Sequence, residues 1–102
     1  MSNTMSGADA VSTENTWEPL LGQMVVLDLH SPYVYLGRLE EVVSGFLILA
    51  DADAHDLRDT ATTRDRYVRE RCELGVNANR RRVWVRLGEV VGISRLDDVV
   101  TD

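Results

Sequence analysis

The stretch Leu20-Leu-Gly-Gln-Met-Val-Val-Leu-Asp-Leu29, running on into Val34-Tyr-Leu-Gly-Arg-Leu39, decides the fold. Apolar and other residues alternate through both runs with the period of a half-buried strand, whose successive side chains point to opposite faces. Val83-Trp-Val-Arg-Leu-Gly-Glu-Val-Val-Gly-Ile-Ser94 repeats the pattern near the C-terminus. Gly37 interrupts the second run at its middle, and a glycine inside a strand marks a sharp bend or the close approach of another backbone. The pattern predicts a short, strongly bent antiparallel barrel.

Working outward, the first strand is predicted over Met24–His30, with Val25, Leu27 and Leu29 on one face and Asp28 on the other. Ser31-Pro32 is a turn, and the second strand runs from Tyr33 to about Val43. Ser44-Gly45 is a hairpin signal, its glycine supplying a positive φ, before a third strand over Phe46–Ala50. Asp51-Ala-Asp-Ala-His-Asp56 reads as a polar loop. Arg64 to Leu74 has helical spacing, with Thr63 as cap, Gly75 as stop, and Tyr67, Arg71 and Leu74 on one face. Tyr67 and Leu74 are expected to be buried against the barrel or a neighbouring chain. After a turn at Asn77-Ala-Asn79, a fourth strand covers Arg80–Arg86 and a fifth Val90–Ser94.

Ahead of the barrel, Thr16-Trp-Glu-Pro is a helix start, with Thr16 as cap or Glu18 preceding a first-turn proline. Trp17, Leu20 and Leu21 would pack this short helix onto the barrel. The domain organisation expected is a disordered tail over 1–15, a barrel domain over 16–96 with an inserted segment at 53–79, and an acidic tail over 97–102.

A chain of 102 residues and 11.4 kDa allows one small core. No apolar run approaches the roughly 20 residues of a membrane span, so no membrane partner is expected. The N-terminus lacks the basic start and apolar centre of a secretory signal. Cys72 stands alone, which excludes an internal disulfide, and a reduced, cytoplasmic location is the expectation. Charge is segregated. Residues 58–86 hold nine arginines against four acids, whereas the remainder holds two arginines against thirteen acids, for a net charge of −6. Lysine is absent. A basic segment in an acidic chain serves either an anionic partner or another copy of the same chain.

The run Leu-x-Gly-x-x-Val-x-Leu-x-Leu over 20–29, with Tyr35-x-Gly37-x-Leu39 and Leu47-x-Leu49-x-Asp51-Ala52, resembles the first motif of the Sm/LSm-like family of small SH3-like barrels. Val85-Arg86 followed by Val90-Val91-x-Ile93-Ser94 is similar to its second motif. The resemblance covers about half of the chain and marks it as a divergent member with an inserted helix. It implies a mostly β fold: a short N-terminal helix, then a five-stranded bent antiparallel barrel, with the helical insertion between the third and fourth strands.

The same resemblance implies a homo-oligomeric ring, the fifth strand of one subunit pairing with the fourth of the next, and RNA as a partner. Family members hold uridine with an acid and an asparagine in the loop between strands two and three, plus an arginine-glycine pair between strands four and five. Here Val43 replaces the acid, and Gly45 or Phe46 falls where the asparagine would be. Arg86 matches, but Leu87 holds the glycine's position, with Gly88 one step later. One of four survives.

Phe46 can stack on a base, and Arg86 can contact phosphate or a base, or pair with Glu89 or with a neighbouring subunit's acid. Arg80, Arg81 and Arg82 are the strongest anion-binding candidates, although 80 and 82 point one way and 81 the other. They equally suit pairing with Asp97, Asp98 and Asp102. Trp84 faces away from Val83 and Val85 and needs cover, and with Val90, Val91 and Ile93 it forms the candidate oligomer interface.

Asp51, Asp53, His55 and Asp56 have metal-like density without the glycine-hinged spacing of a calcium loop. His30 and Cys72 lie far apart in sequence, and no serine occupies a nucleophile elbow. No catalytic residue, metal or cofactor is expected. Three classes remain: an Sm-like oligomeric scaffold of unknown ligand, an Sm-like RNA binder using its arginine surface, and a monomeric SH3-like peptide module.

Overall fold

The computed structural model describes residues 17–101. The tail expected over 1–15 and the Thr16 cap lie outside them. Five strands form one antiparallel sheet: β1 (Met24–Leu29), β2 (Tyr33–Val43), β3 (Phe46–Asp56), β4 (Arg80–Arg86) and β5 (Val90–Arg95). Their order across the sheet is β4-β3-β2-β1-β5, so β4 and β5 are its two edges. Helix α1 (Arg64–Leu74) is inserted between β3 and β4.

The bend is where the sequence places it. Gly37 faces the backbone of β3 so closely that a Cβ there would sit 3.1 Å from the Ala50 carbonyl oxygen and from Ala52 Cα. Between Leu36 and Arg38 the β2–β3 register shifts, and Asp51 and Ala52 together oppose Gly37. Such a bulge bends a strand and increases its twist. Asp51 takes the positive φ of 50° that the bulge requires, a conformation aspartate tolerates better than most residues. A second shift accommodates Glu40. At the hairpin, Ser44 and Gly45 both have positive φ, 50° and 82°, the signature of the tight turn that matches strand twist.

β3 does not stop at Ala50. It continues to Asp56, because past the bulge Asp53, Ala54, His55 and Asp56 pair with Leu36, Tyr35, Val34 and Tyr33. The polar character of 51–56 suggested a loop, but backbone pairing to an already anchored β2 overrides side-chain composition there.

β1 and β2 are buried on both faces. Val25, Leu27 and Leu29 point into the barrel with Leu39, Leu47, Leu49 and Val85. Val26, Val34 and Leu36 point outward and pack with Val68 of α1. The insertion thus supplies a second, external core. Thr63 caps α1 by accepting from the Arg66 amide at 3.2 Å, and Gly75 ends it at φ 94°. The buried face differs from the expected one. Val68 is 6% exposed, Tyr67 is half-buried and Leu74 is 75% exposed. The contact stripe runs through Arg64, Val68 and Cys72, which carries Leu74 past the barrel at the helix end.

The short N-terminal helix is a single 3-10 turn, Glu18–Leu20, with Pro19 in its first turn. Trp17 and Leu20 pack on the barrel core, while Leu21 stays 41% exposed. At the other end Leu96 and Val99 fold back onto the external core.

Gly37→Ala should destabilise the protein by about 1–3 kcal/mol, since the new methyl meets backbone rather than a yielding side chain. Gly88→Ala, with nothing within 4 Å of its Cβ, should shift stability by less than about 0.5 kcal/mol. Urea unfolding midpoints measure both, and equal effects would contradict this account of the bend.

Candidate functional site

The bend brings two distant turns into contact. The Leu87 amide donates to the Gly45 carbonyl at 2.8 Å, joining the β2–β3 turn to the 3-10 turn Leu87–Glu89 between β4 and β5. In the β3–β4 ladder Phe46 lies opposite Arg86, and Trp84 lies opposite Ile48. Phe46 and Trp84 meet edge to face with ring centroids 5.8 Å apart, an arrangement aromatic pairs favour. Trp84 nevertheless remains 59% exposed. Arg86 is exposed and makes no ion pair among the described residues, with Glu89 or any other acid. One end of the sheet therefore presents an aromatic pair beside an unpaired guanidinium.

The arginine triplet is elsewhere. Arg80 and Arg82 lie opposite Ala52 and Ala50, at the far end of β4. Six residues at about 3.3 Å per residue place Arg80 roughly 20 Å from Arg86. Arg82 pairs with Glu40 at 3.1 Å, Arg80 donates to the Asn79 carbonyl, and Asp98 is taken by Arg95 at 2.9 Å. The described tail acids thus leave the triplet alone. Alternation sets Arg80, Arg82, Trp84 and Arg86 on one outward face, with Val83 and Val85 directed inward to the core.

The candidate interface residues divide likewise. Val90 and Ile93 pack against the barrel core, whereas Val91 is 58% exposed on the β5 edge. At the β4 edge a groove of about 190 Å³ opens among Tyr33, Tyr35, Trp84 and Arg86.

Residues 51–56 do not converge. Asp51 pairs with Arg38 at 3.1 Å, and Asp56 with Arg58 at 2.7 Å. That hydrogen bond holds the Asp56 carboxyl well below its usual range, at about 2. Asp53, only 2% exposed, accepts the Tyr67 hydroxyl. His55 stacks on the Tyr67 ring with centroids 3.8 Å apart, and the Arg71 guanidinium lies 5.5 Å from that ring. Burial, and then the Asp53 carboxylate, push the Tyr67 phenol far above its ordinary range, so it stays a donor. Among the described residues no cluster of three or more metal-ligating side chains forms. Burial raises the Cys72 thiol, which makes it a poor nucleophile.

No family model matches the sequence, and no curated protein does. Solved structures do. An Sm protein of Pyrococcus abyssii, in complex with a uridine heptamer, is 19% identical over 80% of this chain and 94% of its own, with a TM-score of 0.55. The SmAP1 heptamer of Pyrobaculum aerophilum is 21% identical over 82% of this chain and 92% of its own, also at 0.55. An Sm-like protein of Archaeoglobus fulgidus is 14% identical, covering 80% of this chain and 91% of its own, at 0.53. The fold is Sm-like. Within this Sm-like barrel the strand order, the bend and the inserted helix agree with the sequence resemblance. No helix is long and apolar enough to cross a membrane.

The Asp53–Tyr67 bond escaped sequence reasoning, because alternation in 51–56 looked like a solvated loop. The one available signal was the run Ala52-Asp-Ala54, small residues flanking an acid, which fits a strand under a covering element. Tyr67→Phe should cost about 1–3 kcal/mol by leaving a buried carboxylate without its donor. Chemical denaturation measures this, and an unchanged midpoint would show that Asp53 finds another partner.

Proposed function

We propose that this chain is an Sm-like oligomeric binding protein without catalysis, whose copies join through the β4 and β5 edges. The observation that carries it is the open sheet: among the described residues both edges are unpaired, and each exposes a large apolar side chain, Trp84 on β4 and Val91 on β5. An exposed edge is a template for another strand. Head-to-tail pairing of two different edges generates a ring when the rotation closes. The heptamer of the P. aerophilum relative supports that geometry. In this reading residues 16–96 are the assembling domain, and the setting is the reducing cytoplasm that a chain with one thiol suits.

Light scattering on the purified chain should give a mass several times 11.4 kDa. Combining Trp84→Ala with Val91→Asp should shift it toward monomer with the circular dichroism spectrum retained. A wild-type monomer at micromolar concentration would refute the proposal and return the third class, a monomeric peptide-binding module.

A second reading, single-stranded RNA as the ligand, has its own support. The outward row Arg80, Arg82, Trp84 and Arg86, with Phe46 beside it, combines cations with stacking surfaces, as sequence-tolerant single-strand binders do. The complex of the P. abyssii relative with a uridine heptamer points the same way. Without the acid and asparagine of the uridine pocket, such contacts go mainly to phosphate and carry no sequence information. Retention of oligo-uridine and oligo-cytidine should therefore be similar. With three phosphate contacts per chain, affinity should fall with a log–log salt slope of about −2. Arg80→Glu with Arg82→Glu should abolish it. Tight selection of uridine at physiological salt would instead assign a base pocket to Phe46 and Arg86.

A further inference from the structure

Among the described residues two glycines lie inside strands, and the chain itself explains only one of them. Gly37 has the β3 backbone against it. Gly92 faces outward from β5, opposite Asp28, and has no positive φ. A Cβ there would meet nothing nearer than the Asp28 carboxylate at 3.7 Å, an ordinary contact. Glycine weakens a strand interior and often marks the place where another group comes close. No described residue makes that approach to Gly92.

On the opposite edge of the sheet the reverse holds. Trp84 faces outward from β4, meets Phe46 edge to face and is still 59% exposed. An uncovered indole on one edge and a missing side chain on the other are complementary when the two edges join. Strand alternation fixes how they join. A slip of one residue turns every inward side chain outward, so inward Val83 must oppose an inward residue of β5. Ile93, opposite Leu27, faces the same core, and both it and Val83 are half-buried. With Val83 opposite Ile93, antiparallel pairing sets Trp84 against Gly92 and Arg82 against Ser94. All six residues of β5 then lie against β4, whereas a shift of two either way leaves one or two past its end. Arg81 comes opposite Arg95, whose charge Asp98 already answers at 2.9 Å.

We infer that Trp84 of one copy covers Gly92 of the next, and that this pair sets the register of the joint between copies. An aromatic side chain laid over a strand glycine stabilises the pairing by covering backbone that the glycine leaves bare. The inference rests on the edge pairing proposed above and adds to it which residues meet.

Gly92→Val and two cysteine pairs, all in the full chain, test it. Gly92→Val should keep the wild-type circular dichroism spectrum, since the chain leaves room for a Cβ. Its mass by light scattering should nevertheless fall to that of a monomer at concentrations where the wild type is assembled. In a Cys72→Ser background, Arg82→Cys with Ser94→Cys keeps Trp84 and Gly92 and sets two thiols opposite each other. Oxidation with copper phenanthroline should then give a ladder of disulfide-linked chains on a denaturing gel. Arg80→Cys with Ser94→Cys, a diagonal pair about 7–8 Å apart and beyond disulfide reach, should link at least tenfold less. The cysteine pairs decide the register even where Gly92→Val fails to fold. A wild-type monomer would refute edge pairing and this contact with it. A wild-type oligomer in which folded Gly92→Val keeps full mass, the first cysteine pair fails to link, or both pairs link equally would overturn this contact alone.

Discussion

Everything in this molecule depends on the approach of two backbones at Gly37. Strands in a sheet keep their hydrogen-bonding distance, and a side chain at the inner corner of a sharp bend has no room. With no Cβ at 37, Ala50 and Ala52 close to 3.1 Å of where that atom would be, and Asp51 is displaced into the bulge. Two eleven-residue strands, β2 and β3, then turn the corner together. The turns at Ser44-Gly45 and Leu87–Glu89 meet as a result, and Phe46, Trp84 and Arg86 come together beside them.

The second consequence is energetic. A bent sheet of this size encloses only a small interior, and a domain near 100 residues has little apolar surface to spare. The outward faces of β1 and β2 carry Val26, Val34 and Leu36, which water would otherwise meet. The insertion covers them with Val68 and Tyr67, while the chain end contributes Leu96 and Val99. The Asp53–Tyr67 hydrogen bond ties the helix to β3, next to the strands it covers, and His55 stacked on the ring restricts the tyrosine further. The helix belongs to the domain's stability as much as to its surface.

Charge follows the same geometry. Strand alternation sends Arg80, Arg82 and Arg86 to the outside, yet a seven-residue strand holds the two ends of that row about 20 Å apart. Glu40 answers Arg82, while Arg86 is left unpaired among the described residues. A basic segment in an acidic chain is therefore a row with one neutralised member, which tempers any long-range field.

Much of the fold was legible in the sequence because it rests on local signals. Period-two alternation marked five strands, Gly37 the bend, Ser44-Gly45 the hairpin, and Thr63 with Gly75 the ends of the inserted helix. Of the candidate site, the outward direction of Arg80, Arg82, Trp84 and Arg86 was also readable, since a strand fixes which side chains share a face. What tertiary structure decided is whatever depends on partners distant in sequence. The extension of β3 through Asp56 depended on β2 being in place, and the choice of Val68 over Leu74 depended on where the helix crosses the barrel. The meeting of Gly45 with Leu87 needed elements separated by tens of residues to be held together. Sequence spacing encodes the direction of a side chain along its own element, but the partner it meets is set by how the elements pack.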